Sequence, residues 1–190
     1  MVNRTLNTCT DEELMEAIAL NDAGAFAELY DRYSVRLLNY LYKWLQDKEK
    51  ANDFLQDLFV KVIDHATSFD TTKKCSTWIY ALATNMCRNE FRNSQNRNRI
   101  LQSSFKQEQA LSSELNLDKL DYSHFRSRLQ EVLNELNEEL RSLFLLRFQE
   151  ELSIKEIAEI IAVPEGTVKS RLFYLLKKMA HHLAEFNPAV

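Results

Sequence analysis

The chain has 190 residues, a formal net charge of −4, and only two glycines (Gly24, Gly166) and two prolines (Pro164, Pro188), where average usage is roughly 12%. So few turn formers exclude sandwiches and barrels, and two glycines far apart exclude a Gly-rich phosphate loop. With 45% of residues hydrophobic, what remains is an all-α protein of one large or two small domains, and its acidic balance argues against coating nucleic acid by bulk charge.

Thr10-Asp11-Glu12-Glu13 is a capping box and opens a first helix over residues 10–22, with Leu14, Ala17 and Ile18 on one face. A longer helix is predicted from Ala23 to Leu45, where Phe26, Leu29, Tyr30, Tyr33, Leu37, Tyr40, Leu41 and Trp44 step by three and four. Asp47 caps a third helix carrying Ala51, Phe54, Leu55, Leu58, Phe59 and Val62 inward. After a polar break, Thr67 to Ser76, a fourth carries Trp78, Ile79, Leu82, Ala83, Met86 and Phe91. Four helices with one apolar stripe each make a four-helix bundle over residues 10–95.

Composition then shifts. Between Asn93 and Asn116, thirteen of twenty-four residues are Ser, Asn or Gln and the apolar period is lost, which predicts a flexible linker over 96–122. Helical period returns at Ser123 with Phe125, Leu129, Val132, Leu133 and Leu136, and Asn137 caps a helix with Leu140, Leu143, Phe144 and Phe148. Ser153-Ile154-Lys155-Glu156 is a second capping box, opening a short helix with Ile154, Ile157, Ala158 and Ile161 inward. Pro164 must end it by Ala162, and proline suits the first turn of the next helix, from Glu165 past Lys178, with Val168, Leu172, Leu175 and Met179 inward.

Two helices joined by three or four residues, with small Ala158 at the crossing, read as a helix-turn-helix over 123–183 or as an ordinary helical hairpin. Charge favours the first. From Gly166 to His182 there is no acidic residue, and Thr167, Lys169, Ser170, Arg171, Tyr174 and Lys177 lie on or beside the outward face. A second basic segment, Arg88, Arg92, Arg97 and Arg99, is opposed only by Glu90. Lys73 and Lys74 precede it, and Phe69, Trp78, Tyr80 and Phe91 are interleaved, a mixture that suits unpaired bases held by stacking and cations, or simple core packing. Asp53, Gln56, Asp57, Lys61 and Asp64 form an acidic and amide face on the third helix, suited to solvent or to a basic partner.

Cys9, Cys75 and Cys87 lack CxxC spacing and read as reduced thiols, which together with an N-terminus free of a signal-like apolar stretch predicts a cytoplasmic protein. The longest apolar runs, such as Leu143 to Leu146, predict no membrane insertion. His65, His124, His181 and His182 have no metal-ligand or His–carboxylate spacing, so no catalytic, cofactor or metal site is expected.

The chain resembles the extracytoplasmic-function (ECF) branch of the sigma-70 family of bacterial transcription initiation factors. The resemblance rests on the run Asp53 to Phe59, on Phe69-Asp70 with Ser76 to Tyr80, on Leu145-Leu146-Arg147, Leu152-Ser153 and Glu156 to Glu159, and on Pro164 to Leu172. It implies that Asp53, Gln56, Asp57 and Phe59 contact the clamp helices of the polymerase largest subunit, with a further contact at the flap region. It implies that Thr71, Thr72, Lys73, Lys74, Trp78, Asn85, Arg88 and Arg92 melt and capture the minus-ten element. Thr167, Lys169, Ser170, Arg171, Tyr174 and Lys177 then read the minus-35 element, and an anti-sigma factor is an expected partner. Glu151 stands where the family often has Gly, and Tyr174 and Leu176 stand where it often has Arg. The competing class is a dimeric helix-turn-helix regulator whose first bundle senses a ligand or dimerises.

Overall fold

The structure is a computed structural model and describes residues 6–102 and 120–186. Those residues form eight α-helices: α1 Asp11–Ala19, α2 Ala23–Leu45, α3 Lys48–His65, α4 Cys75–Gln102, α5 Leu120–Glu135, α6 Glu138–Phe144, α7 Ile154–Ile161 and α8 Glu165–His182. No strand occurs among them, in keeping with the all-α class.

The helix starts follow local chemistry. Both capping boxes close, with the Glu13 amide donating to Thr10 and the Glu156 amide to Ser153, each at 3.2 Å. Asp22, Asp47 and Asn137 accept from the first-turn amides of α2, α3 and α6. The start of α4 is capped from a distance, by Glu12 of α1 accepting from the Cys75 amide at 2.8 Å. Few glycines leave the stops to other residues: Gln46 ends α2 and Ala162 ends α7 in the left-handed region, at φ 55° and 54°.

Four expectations change. The helix α4 continues to Gln102, so the first stretch of the expected linker is helical; the remainder, 103–119, lies outside the described residues. Polar side chains in 93–102 do not break the helix, because Asn, Ser and Gln weaken helix propensity by only a few tenths of a kcal/mol each. Pro164 stands at the N-cap of α8, one position before the first turn. Beyond α6 the backbone widens into a π-helical turn, Leu145–Gln149, which rotates Phe148 out to solvent; in α7, Ile160 is buried while Ile154 and Ile161 are only half-buried.

The helices α1 to α4 pack as a bundle around Leu29, Leu37, Tyr40, Leu41, Leu58 and Ile79, and α5 to α8 pack around Val132, Leu136, Leu143, Ile157, Val168 and Leu175. The two units are in contact along α4, which lies against α7 and α6, and their buried side chains join in one cluster. At the junction the Arg141 guanidinium is buried. Its Nη1 donates to the Trp44 carbonyl and its Nε to the Leu133 carbonyl, both at 3.2 Å, and its Nη2 donates to Asn134 Oδ1 at 2.6 Å. Its carbon lies 5.9 Å from the Trp44 ring and 5.4 Å from the Phe91 ring, within cation–π range. Truncation by Arg141→Ala takes a donor from the buried Trp44 carbonyl and opens a void beside the Trp44 and Phe91 rings, while the Leu133 carbonyl keeps the Leu136 amide and Asn134 Oδ1 keeps Gln130 Nε2. It should therefore cost about 3 kcal/mol, read as a lower urea midpoint with an unchanged slope.

Candidate nucleic-acid and partner interfaces

Three surfaces carry the residues singled out from the sequence. The first is α4 with the loop before it. In that loop Asp70 accepts from the Thr72 amide at 3.1 Å and hydroxyl at 2.7 Å, so the turn is fixed by one carboxylate, and these bonds hold Asp70 below the usual carboxylate range. Thr71, Thr72, Lys73 and Lys74 are exposed on it. Trp78 is half-buried, its ring 5.2 Å from Phe69, and Asn85, Arg88 and Arg92 follow along the same side of α4. One flank of this side meets the C-terminal unit. Lys74 Nζ lies 2.8 Å from Glu156 of α7, while Arg92 and Arg88 lie 2.5 and 3.5 Å from Glu138 of α6.

Between them the Tyr80 hydroxyl donates to the buried carboxylate of Glu150, which Arg36 approaches at 3.5 Å. Burial and then this contact push the Tyr80 phenol up. Sequence reasoning set Glu90 alone against the basic segment; in the fold Glu90 faces Lys50 at 2.5 Å and Arg97, and Glu138 takes Arg88 and Arg92. Neither Glu138 nor Glu150 carried a local signal, because their partners lie 46 or more residues away.

The second surface is the outer face of α8. Val168, Leu172, Leu175 and Met179 are buried, as expected, and this turns Lys169, Ser170, Tyr174 and Lys177 to solvent. Thr167 and Arg171 are half-buried, and Arg171 is engaged by Glu139 at 3.3 Å. The large apolar side chains on this face are Phe173, Tyr174 and Leu176, exposed by 65, 67 and 50%. Phe173 and Leu176 were missed by counting charge alone, although the inward stripe already required them to point out.

The third surface is α3. Asp53, Gln56 and Asp57 are exposed, but Phe59 is only 3% exposed and packs edge-on against Phe26 at 5.9 Å and beside Tyr30 at 4.7 Å. Phe59 is thus the floor of this surface and not a contact; the exposed apolar residues that continue the stripe are Val60 and Ile63.

The three cysteines are free and buried, and burial raises the Cys75 and Cys87 thiols well above their usual range. Among the described residues no His, Cys, Asp and Glu cluster is disposed to hold a metal, and no helix is long and apolar enough to cross a membrane.

Two family models match the chain: "Sigma-70 region 2" over residues 29–97 and "Sigma-70, region 4" over 126–179. The chain is 26% identical over 166 residues to the ECF RNA polymerase sigma factor SigW of Bacillus subtilis, spanning 83% of this chain and 88% of that protein. It is 28% identical over 172 residues to the ECF RNA polymerase sigma-E factor of Haemophilus influenzae, spanning 86 and 90%. Among solved structures, CnrH in complex with the cytosolic domain of CnrY shares the fold at TM-score 0.70 and 18% identity, covering 93% of this chain and 99% of that one. The sigma factor RpoE in complex with the anti-sigma factor NepR from Bartonella quintana aligns at TM-score 0.54 and 24% identity, covering 78 and 89%.

Glu156 gives a titration test of the contact between the units. The Lys74 ammonium, then the Ser153 hydroxyl and amide, hold its carboxyl at about 2, below the ordinary 4.5. A carboxyl depressed on folding stabilises the fold above its unfolded value and loses that contribution as pH falls through its folded one. In Lys74→Ala the carbon NMR titration of Glu156 should move up from about 2 toward 4.5.

Proposed function

The chain belongs to the extracytoplasmic-function branch of the sigma-70 family, the transcription initiation factors that direct RNA polymerase to promoters, and we propose that its surfaces divide that task in the following way. It is not an enzyme. It binds core polymerase and promoter DNA in the cytoplasm.

The exposed stripe of α3, with Asp53, Gln56 and Asp57 beside Val60 and Ile63, docks on the clamp helices of the largest subunit. Carboxylates around apolar side chains suit a basic partner helix, and Phe59 supports the stripe from beneath. The C-terminal unit adds a contact at the flap region. The loop with Thr71, Thr72, Lys73 and Lys74, and the side of α4 with Trp78, Asn85, Arg88 and Arg92, melt and hold the minus-ten element as a single strand, where an indole stacks on bases and cations hold phosphates. Thr167, Lys169, Ser170, Arg171, Tyr174 and Lys177 of α8 read the minus-35 element in the major groove. Residues 10–95 and 123–183 are the two working domains and 96–122 connects them. An anti-sigma factor holds the chain inactive, as the solved RpoE complex contains one.

The observation that carries this reading is the placement of charge. A chain of net charge −4 keeps a helix-turn-helix second helix with no acidic residue from Gly166 to His182, while its carboxylates line α3. Run-off transcription with core polymerase on genomic fragments tests it; specific transcripts that depend on this chain are expected. A symmetric dimer on a palindrome, with no polymerase co-purifying, would show instead a conventional regulator.

Two substitutions separate the surfaces. Asp57→Arg should abolish co-purification with core polymerase and leave the thermal unfolding of the chain unchanged. Lys169, at the edge of the reading face, neutralises a backbone phosphate, so Lys169→Ala should weaken binding to minus-35 duplexes about equally across sequences and reduce the salt slope by about 1, while core association measured by gel filtration stays intact.

A further inference from the structure

We propose that Phe173 and Tyr174 of α8 determine sequence specificity, forming one apolar wedge that reads the methyl groups of thymine in the major groove. The inference rests on the reading of α8 as the minus-35 surface and deepens it by naming the base that the helix selects. Its ground is a pair of large aromatic side chains at the centre of a helix face that is otherwise polar and cationic.

The buried stripe Val168, Leu172, Leu175 and Met179 fixes the facing of α8, and opposite it Ser170 and Lys177 are exposed and mark the outward line of the helix. Phe173 and Tyr174 are consecutive, so they leave the helix about 100° apart and straddle that line. Their rings meet edge-on, with centroids 5.7 Å apart and planes at 75°. Both stand largely in solvent, and Leu176, one turn beyond Phe173, widens the apolar surface on that side. The polar neighbours are already engaged. The Ser170 hydroxyl donates to the Thr167 carbonyl at 3.0 Å, and Arg171 is half-buried beside Glu139 of α6 at 3.3 Å. From Leu172 to Leu176 there is no charged side chain. The cations lie beyond the wedge along the helix, Lys169 toward one end and Lys177 toward the other.

This arrangement matches one base edge better than the other three. In the major groove all four bases present hydrogen-bonding atoms, and thymine alone adds a methyl group. A wedge with no charge at its centre makes no bidentate contact to guanine O6 and N7. An aromatic ring laid over a polar base edge strands the atoms it desolvates. Against a thymine methyl, both apolar surfaces leave water together. The Tyr174 hydroxyl is a donor suited to the O4 acceptor beside that methyl. Lys169 and Lys177 then hold phosphates on either side, which fixes the register of the helix without selecting a base. The absence of acidic side chains from Gly166 to His182 suits this occupant, since every charge around the wedge is attractive to DNA.

The test uses the full chain bound to core polymerase. Its probe is a labelled duplex promoter fragment recovered by run-off transcription and followed by fluorescence anisotropy. The thymines of its minus-35 element, on either strand, are replaced one at a time by deoxyuridine, which removes a methyl group and leaves base pairing unchanged. At one or more positions affinity should fall about fourfold, as expected for one buried methyl group. Phe173→Ala, at an exposed position, should keep its helical content by circular dichroism and bind the thymine and deoxyuridine fragments equally. Tyr174→Arg places a bidentate donor in the wedge and should prefer guanine over thymine at one position by about tenfold. Affinity unchanged by every deoxyuridine exchange overturns the wedge, as does a Phe173→Ala variant that keeps the thymine preference. Loss of core association by that variant, with the methyl dependence intact, gives the rings to the polymerase and overturns it too. Lys169→Ala separates this failure from that of the broader reading. If it still weakens binding to the same fragment, α8 remains the minus-35 surface while the wedge falls; if neither it nor any exchange in the element alters binding, both fall.

Discussion

A single buried guanidinium holds the two halves of this molecule in register. Arg141 reaches from α6 to the Trp44 carbonyl at the end of α2, and the Trp44 and Phe91 rings flank it. Burial lowers its pKa below the usual guanidinium range, yet the charge is kept because three acceptors meet it. With Arg141 seated, α6 lies against α4 beside the larger contact of α7 with α4, so Glu138 and Glu156 face α4 together.

The π-helical turn sets the direction in which Glu150 points. An α-helical continuation through Leu145–Gln149 would carry Glu150 around by a different angle. The wider turn instead closes the Glu150 amide onto the Leu145 carbonyl at 3.1 Å and leaves the carboxylate against Tyr80. The cost is Phe148, which lies 46% exposed. Phe144 stacks on it at 5.3 Å, so part of its surface is still covered.

Much of the fold was legible in the sequence because its signals are local. Thr10, Asp47, Asn137 and Ser153 cap within three residues of themselves, and the stripe Val168, Leu172, Leu175 and Met179 fixes the facing of α8 from periodicity alone. What was not legible is of longer range. The helix through 93–102 carries a composition that also suits a linker, and length decides nothing there. Phe59 reads equally as core or contact until Phe26 and Tyr30 are brought onto it from α2. Glu138 and Glu156 each sit in a first helical turn, where an acid is already explained by the helix dipole; their second partners, Arg92 and Lys74, become visible only when the units meet.

The ionic character of the contact between the units bears on how the chain responds to its solution. Added salt screens Glu138 from Arg92 and Glu156 from Lys74, whose cations keep side-chain exposures of 55 and 68%, whereas the Glu150 carboxylate, 4% exposed against Tyr80, is screened far less. Rising ionic strength therefore softens the contact from its rim inward and leaves its buried centre in place.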